Sequence, residues 1–125
     1  MKVLCFQVML VCSAASAQDG WIELARTNEA TAYTNGARTR APSGHPAVWV
    51  YFDYRMPQPD GARSLRIFYA ADCAGMQTRA LTASSHSGVK ATGSVISPGG
   101  RSVEWEPVPS ASVMSRIWEY VCTGT

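Results

Sequence analysis

The sequence predicts an α+β fold, a roughly six-stranded antiparallel sheet with one C-terminal helix packed on it and tied by a disulfide. Three observations predict it. Apolar and polar residues alternate with period two in short runs between turn residues, from residue 21 to residue 107. From Val113 the apolar spacing becomes helical. Cys73 and Cys122 fall on the apolar side of a predicted strand and of that helix, where they can meet.

The elements follow in order. Residues 21–26 alternate, with Trp21, Glu23 and Ala25 opposite Ile22, Leu24 and Arg26. Residues 31–40 contain Asn35-Gly36 after Tyr33 and Thr34, which predicts a hairpin around a type I′ turn. Residues 41–46 are a Pro/Gly/Ser loop. Residues 47–56 form the strongest strand. Val48, Val50, Phe52 and Tyr54 share one face, and Trp49, Tyr51, Asp53 and Arg55 the other. The first face is wholly apolar or aromatic, so it is the predicted core face.

Residues 57–61, Pro-Gln-Pro-Asp-Gly, force a turn. Residues 64–73 then carry Leu65, Ile67, Tyr69, Ala71 and Cys73 on one face. Residues 77–85 alternate again and end in the turn His86-Ser87-Gly88. Two more short strands are predicted at 91–97 and 102–107, separated by Pro98-Gly99-Gly100. The helical stripe is Val113, Met114, Ile117, Trp118, Val121 and Cys122, with Ser112 as N-cap, Pro109 ahead of it and Gly124 as its stop.

The amino-terminal residues predict export. Lys2, a largely apolar run over 3–11 and Ala15-Ser16-Ala17 occur in the order of a secretory signal peptide over residues 1–17. The mature chain, residues 18–125, is one domain. The apolar run is too short to span a bilayer. Val11 directly before Cys12 fits a lipoprotein signal poorly, which favours a soluble exported product over a lipid-anchored one.

Cys5 and Cys12 lie in that leader, leaving Cys73 and Cys122 as a lone pair. In an oxidising compartment such a pair reads as a structural disulfide. Closing a loop of about 49 residues is worth about 4 kcal/mol in the chain-entropy picture.

Composition excludes some functions. Without Lys2, ten basic side chains face nine acidic ones, and the arginines are scattered. A nucleic-acid binder concentrates its basic residues on one face. His45 and His86 are the only histidines and no His/Cys/acid spacing makes a metal motif, so no metal or cofactor is predicted.

Glu104 and Glu106 flank Trp105 and would sit roughly 7 Å apart on a strand, a distance compatible with a two-carboxylate hydrolase. Polar alternation explains that spacing by itself, and a hydrolase would also need a cleft holding both. Ser87-Gly88-Val89-Lys90 matches S-x-x-K, but the partner motifs of those enzymes do not occur. Trp49, Tyr51 and Arg55 are of the types that dominate binding hot spots. Their strand face is either open as a contact surface or covered by another element.

The strings Asp72-Cys73, Thr78-Arg79-Ala80-Leu81, Ser85-His86-Ser87-Gly88 and Thr92-Gly93-Ser94-Val95 continue into two more. These are Glu104-Trp105-Glu106-Pro107-Val108-Pro109 and Ile117-Trp118-Glu119-Tyr120-Val121-Cys122. Together they resemble the surface-adhesin protein E family, small exported proteins of Gram-negative bacteria. Trp21 and the 47–54 strand agree more loosely. Ser110-Ala111-Ser112 stands where that family often has Pro-Gly-Ser, a departure confined to the start of the helix.

The resemblance implies an antiparallel sheet with a bridged C-terminal helix. It also implies a non-enzymatic envelope protein that binds host matrix or plasma proteins, in the periplasm or at the cell surface. A periplasmic small-ligand-binding protein or enzyme inhibitor is the alternative. An uncovered sheet edge would let a second copy pair with the first.

Overall fold

The computed structural model describes residues 20–100 and 103–124. The predicted leader and its cleavage site lie outside them. Eight antiparallel strands form one curled sheet. They are β1 (Ile22–Arg26), β2 (Ala30–Thr34), β3 (Arg38–Arg40), β4 (Pro46–Tyr54), β5 (Ser64–Asp72), β6 (Gln77–His86), β7 (Val95–Ser97) and β8 (Glu106–Pro107). A 3₁₀ turn (Val89–Ala91) precedes β7, and one helix, α1 (Val113–Thr123), follows β8.

The main order is β1-β2-β4-β5-β6-β7, with β3 beside β4 and β8 beside β6. The three long strands β4, β5 and β6 are thus flanked by short ones. The predicted six-stranded sheet with one helix and a Cys73–Cys122 disulfide is the observed architecture.

Asn35-Gly36 is not a hairpin. Thr31 pairs with Asp53 and Arg38 with Val48, so β2 and β3 run in line along one edge of β4. A type I′ turn needs left-handed backbone at both central residues. Here Gly36 has φ 88° while Asn35 keeps negative φ. Buried Thr34 donates its hydroxyl to the Trp49 carbonyl at 3.0 Å and holds the chain against β4. The hairpin lies earlier, between β1 and β2, where Thr27 Oγ1 accepts the Glu29 and Ala30 amides.

The predicted strand at 91–97 also shortens. Lys90 and Ala91 have φ of 51° and 61°, left-handed values that no strand residue adopts. Pairing begins only at Val95. Among the described residues of the predicted 102–107 strand, ladder pairing is confined to Glu106 and Pro107, while the Val103 amide donates to the Ala80 carbonyl at 3.0 Å.

The main core lies between the sheet and α1. Val48 and Val50 of β4, Ala71 of β5 and Ile117 and Val121 of α1 are almost wholly excluded from solvent. Val113, Met114, Trp118 and Cys122 pack around them, so the predicted stripe is the buried one. Tyr120 joins it from outside the predicted set and donates its hydroxyl to the Gly36 carbonyl at 3.0 Å.

Ser112 caps α1 in a reciprocal box. Its Oγ accepts the Ser115 amide at 3.1 Å, and its own amide donates to Ser115 Oγ at 3.0 Å. Such a cap is worth about 1 kcal/mol. Gly124 closes the helix with φ 83°, and Arg38 Nη1 donates to the Val121 carbonyl at 3.3 Å, a cation against the negative helix end.

Cys73 follows β5 and Cys122 lies in the last turn of α1, with their Cα atoms 5.8 Å apart. Nearby, Trp118 Nε1 donates to the Asp72 carbonyl at 3.2 Å. Replacing Cys122 by Ser should lower unfolding stability by about 4 kcal/mol. Denaturant unfolding with and without reductant checks this. The reduced wild-type protein should fall to the level of the variant, and the variant should not respond to reductant.

Candidate binding face

The face of the sheet away from α1 is built from the alternate residues of the same strands. Register places Trp49 opposite Phe68, Tyr51 opposite Arg66 and Asp53 opposite Ser64. On the next strand Thr82 faces Phe68, Ser84 faces Arg66 and His86 faces Ser64. An antiparallel sheet with one covering helix commonly leaves its second face to solvent. Here each end of that face is covered.

One cover is the 3₁₀ turn, which lies as a strap across β4 and β5. Asp53 Oδ1 accepts the Lys90 amide at 2.7 Å, and Oδ2 pairs with Lys90 Nζ at 3.4 Å. Ser64 Oγ accepts the Ala91 amide at 2.9 Å and donates to the Gly88 carbonyl at 2.6 Å. These contacts hold the two left-handed residues in place. Lys90 Nζ also lies 4.2 Å from the Tyr33 ring centre and 5.7 Å from that of Trp21. Trp21 meets Tyr51 edge-on at 4.7 Å.

The other cover is the loop after β3, together with Trp105. Ala41, Ala47 and Ala70 are buried there, and the His45 ring lies 4.7 Å from Trp105. Between this loop and the sheet is a hollow of about 380 Å³ lined by Ala41, Pro42, Phe68, Leu81 and Trp105 among others.

The middle of the face remains half-exposed. The Arg66 guanidinium lies over Trp49 at 4.1 Å from the ring centre, and Trp49 leans on Phe68 at 4.9 Å. His86 is only 7% exposed. Its Nε2 is 2.8 Å from Ser84 Oγ, while its Nδ1 is buried without a partner.

Of the three residues singled out from sequence, Trp49 is half-buried in this stack and Tyr51 is 8% exposed beneath Trp21. Arg55 is exposed beyond the end of β4, its amide donating to the Glu29 carbonyl at 2.9 Å. Sequence reasoning passed over Arg66 and Phe68. Their strand was read through Leu65, Ile67 and Tyr69, and only cross-strand register puts the intervening residues beside Trp49 and Tyr51.

The other candidates resolve plainly. Glu104 and Glu106 are both exposed. Glu106 lines a hollow with Tyr69, Thr78 and Met114 that does not include Glu104. Burial, and then Glu106, push the Tyr69 phenol up to about 12, so it stays protonated and is no base at neutral pH. Ser87 Oγ accepts the Ser94 amide at 2.8 Å, and Lys90 is committed to Asp53. Among the described residues no group of three or more His, Cys, Asp or Glu could hold a metal ion. No described helix is long and apolar enough to cross a membrane.

Burial, and then the Arg66 charge, push the His86 imidazole below its ordinary 6.5. The unfolded chain therefore takes up this proton first as pH falls. Stability should be full above about pH 6.5 and decline as pH drops through the lower folded-state value. Unfolding midpoints between pH 7 and pH 5 check this, and H86Q should flatten the decline.

Comparison with known proteins agrees with the architecture. The family model described as surface-adhesin protein E matches residues 21–123. A crystal structure of Haemophilus influenzae protein E superposes with a TM-score of 0.65 at 15% sequence identity. The match covers 84% of this chain and 88% of that one. At that identity the likeness is one of fold. No curated protein matches the sequence.

Proposed function

The chain belongs to the surface-adhesin protein E family, and from that membership we propose that it is a non-enzymatic binding protein of the bacterial envelope. Its partner is a host matrix or plasma protein. The family match over most of the chain is the observation that carries this reading. The site supports a binding role, because half-exposed aromatics sit on a braced sheet.

The proposed contact surface is centred on Trp49, with Phe68 and Arg66 beside it and Arg55 beyond. Tyr51 supports it from beneath. Trp and Arg side chains held in place lose little entropy on binding, which is why such residues dominate interfaces. The leader predicted over residues 1–17 is consistent with export, and display at the surface is part of the proposal.

Purified residues 18–125 should bind immobilised extracellular-matrix extract saturably and albumin not at all. Trp49→Ala should weaken that binding at least about tenfold. On whole cells an antibody should reach the protein before permeabilisation. Signal only after permeabilisation would exclude adhesion as its role.

The hollow against Trp105 favours a second reading, a periplasmic protein that binds a small apolar ligand, because about 380 Å³ lies within the range of such sites. Quenching of tryptophan emission by an apolar dye, lost in Leu81→Trp, is its signature.

A further inference from the structure

We propose that Arg66, stacked on Trp49 with its buried Nε–H unsatisfied, is the anchor for a carboxylate in an acidic segment of the protein partner. This rests on the reading above that the partner is a protein, and names the chemistry that the half-exposed patch selects.

Arg66 differs from Lys90, the cation of the strap. Lys90 has Asp53 as its counter-charge. Two ion pairs occur among the described residues, Arg26 with Glu23 and Lys90 with Asp53, and Arg66 belongs to neither. Its Nε is buried and has no hydrogen-bond partner. A carboxylate that pairs with this half-exposed side chain meets a cation that has no counter-charge of its own among the described residues.

The Trp49 ring, 4.1 Å away, holds the guanidinium against an aromatic face, and a guanidinium can offer two N–H groups to the two oxygens of a carboxylate. Ser84 stands directly opposite Arg66 on β6, with its hydroxyl 2.8 Å from His86 Nε2. His86, whose Nδ1 also lacks a partner, lies one pair further along the same face.

The surroundings choose a peptide carboxylate over a polyanion. Phe68 and Trp49 flank the arginine with apolar surface. The basic residues are dispersed along the sequence and nearly balanced by acidic ones, which favours a single carboxylate over a run of phosphates. One guanidinium among aromatics suits the carboxylate of an Asp or Glu in a peptide.

The test uses ¹⁵N-labelled residues 18–125, with hexaglutamate as the probe and hexalysine as its control. The Arg66 Nε–H resonance should shift saturably with hexaglutamate and stay in place with hexalysine. Arg66→Gln should raise the hexaglutamate Kd at least about tenfold. Arg66→Lys, which keeps the charge and loses the fork, should raise it several-fold, while Arg40→Gln should leave it within about twofold.

An Arg66 signal that does not move, or equal weakening by Arg66→Gln and Arg40→Gln, overturns the inference. Matrix binding that survives intact in Arg66→Gln overturns it as well, and leaves the adhesin reading standing. A wild-type protein that binds hexaglutamate through Arg66 but no matrix protein overturns the adhesin reading alone.

Discussion

Strand β4 is apolar on both of its faces, and the rest of the molecule is arranged to keep both from water. Val48 and Val50 are fully buried on one side. Ala47 and Tyr51 are nearly so on the other. Each large apolar side chain contributes about 1.5–3 kcal/mol on full burial, so neither face can be left bare in a domain of ordinary stability. The two sides solve this differently. One takes a regular helix, capped and covalently pinned. The other takes a strap, a loop and an aromatic stack, whose fit is incomplete. The gap between those pieces is the candidate binding face.

The strap shows how that second cover is held. Lys90 and Ala91 are non-glycine residues with left-handed backbone, each costing on the order of 1–3 kcal/mol. A charge-assisted hydrogen bond from the Lys90 amide to Asp53, the partly buried ion pair and the Ser64 bond to Ala91 offset that cost. The hydroxyl and the carboxylate come from neighbouring positions of β4 and β5, so they hold the strap only when those strands pair in register. The same register sets Trp49 against Phe68 and Tyr51 against Arg66. Local backbone strain, sheet pairing and the orientation of the contact residues are therefore one linked condition.

Much of this was legible in the sequence because it depends on short-range pattern. The period of β4, the helical stripe from Val113, the Ser112 cap and the facing of the two cysteines all follow from spacing within a few residues. The errors lie where a distant residue decides. Asn35-Gly36 has hairpin chemistry, but Thr34 is held by Trp49 and Gly36 by Tyr120, both far along the chain. The predicted strand at 91–97 loses its first residues to Asp53 and Ser64. Arg66 looked like one more scattered arginine until strand register brought Trp49 under it.

The order of elements along the chain has a consequence for biogenesis. The lid over Val48 and Val50 is the last element described, and its covalent latch bridges positions 49 residues apart. A nascent polypeptide must therefore carry a greasy, unroofed surface until its final segment arrives. Contacts so remote in sequence form slowly, and intermediates of that kind invite association. On the proposed reading that the chain is exported, it remains pliable through most of a translocation channel and becomes compact only on the far side, with its oxidation the closing event of maturation.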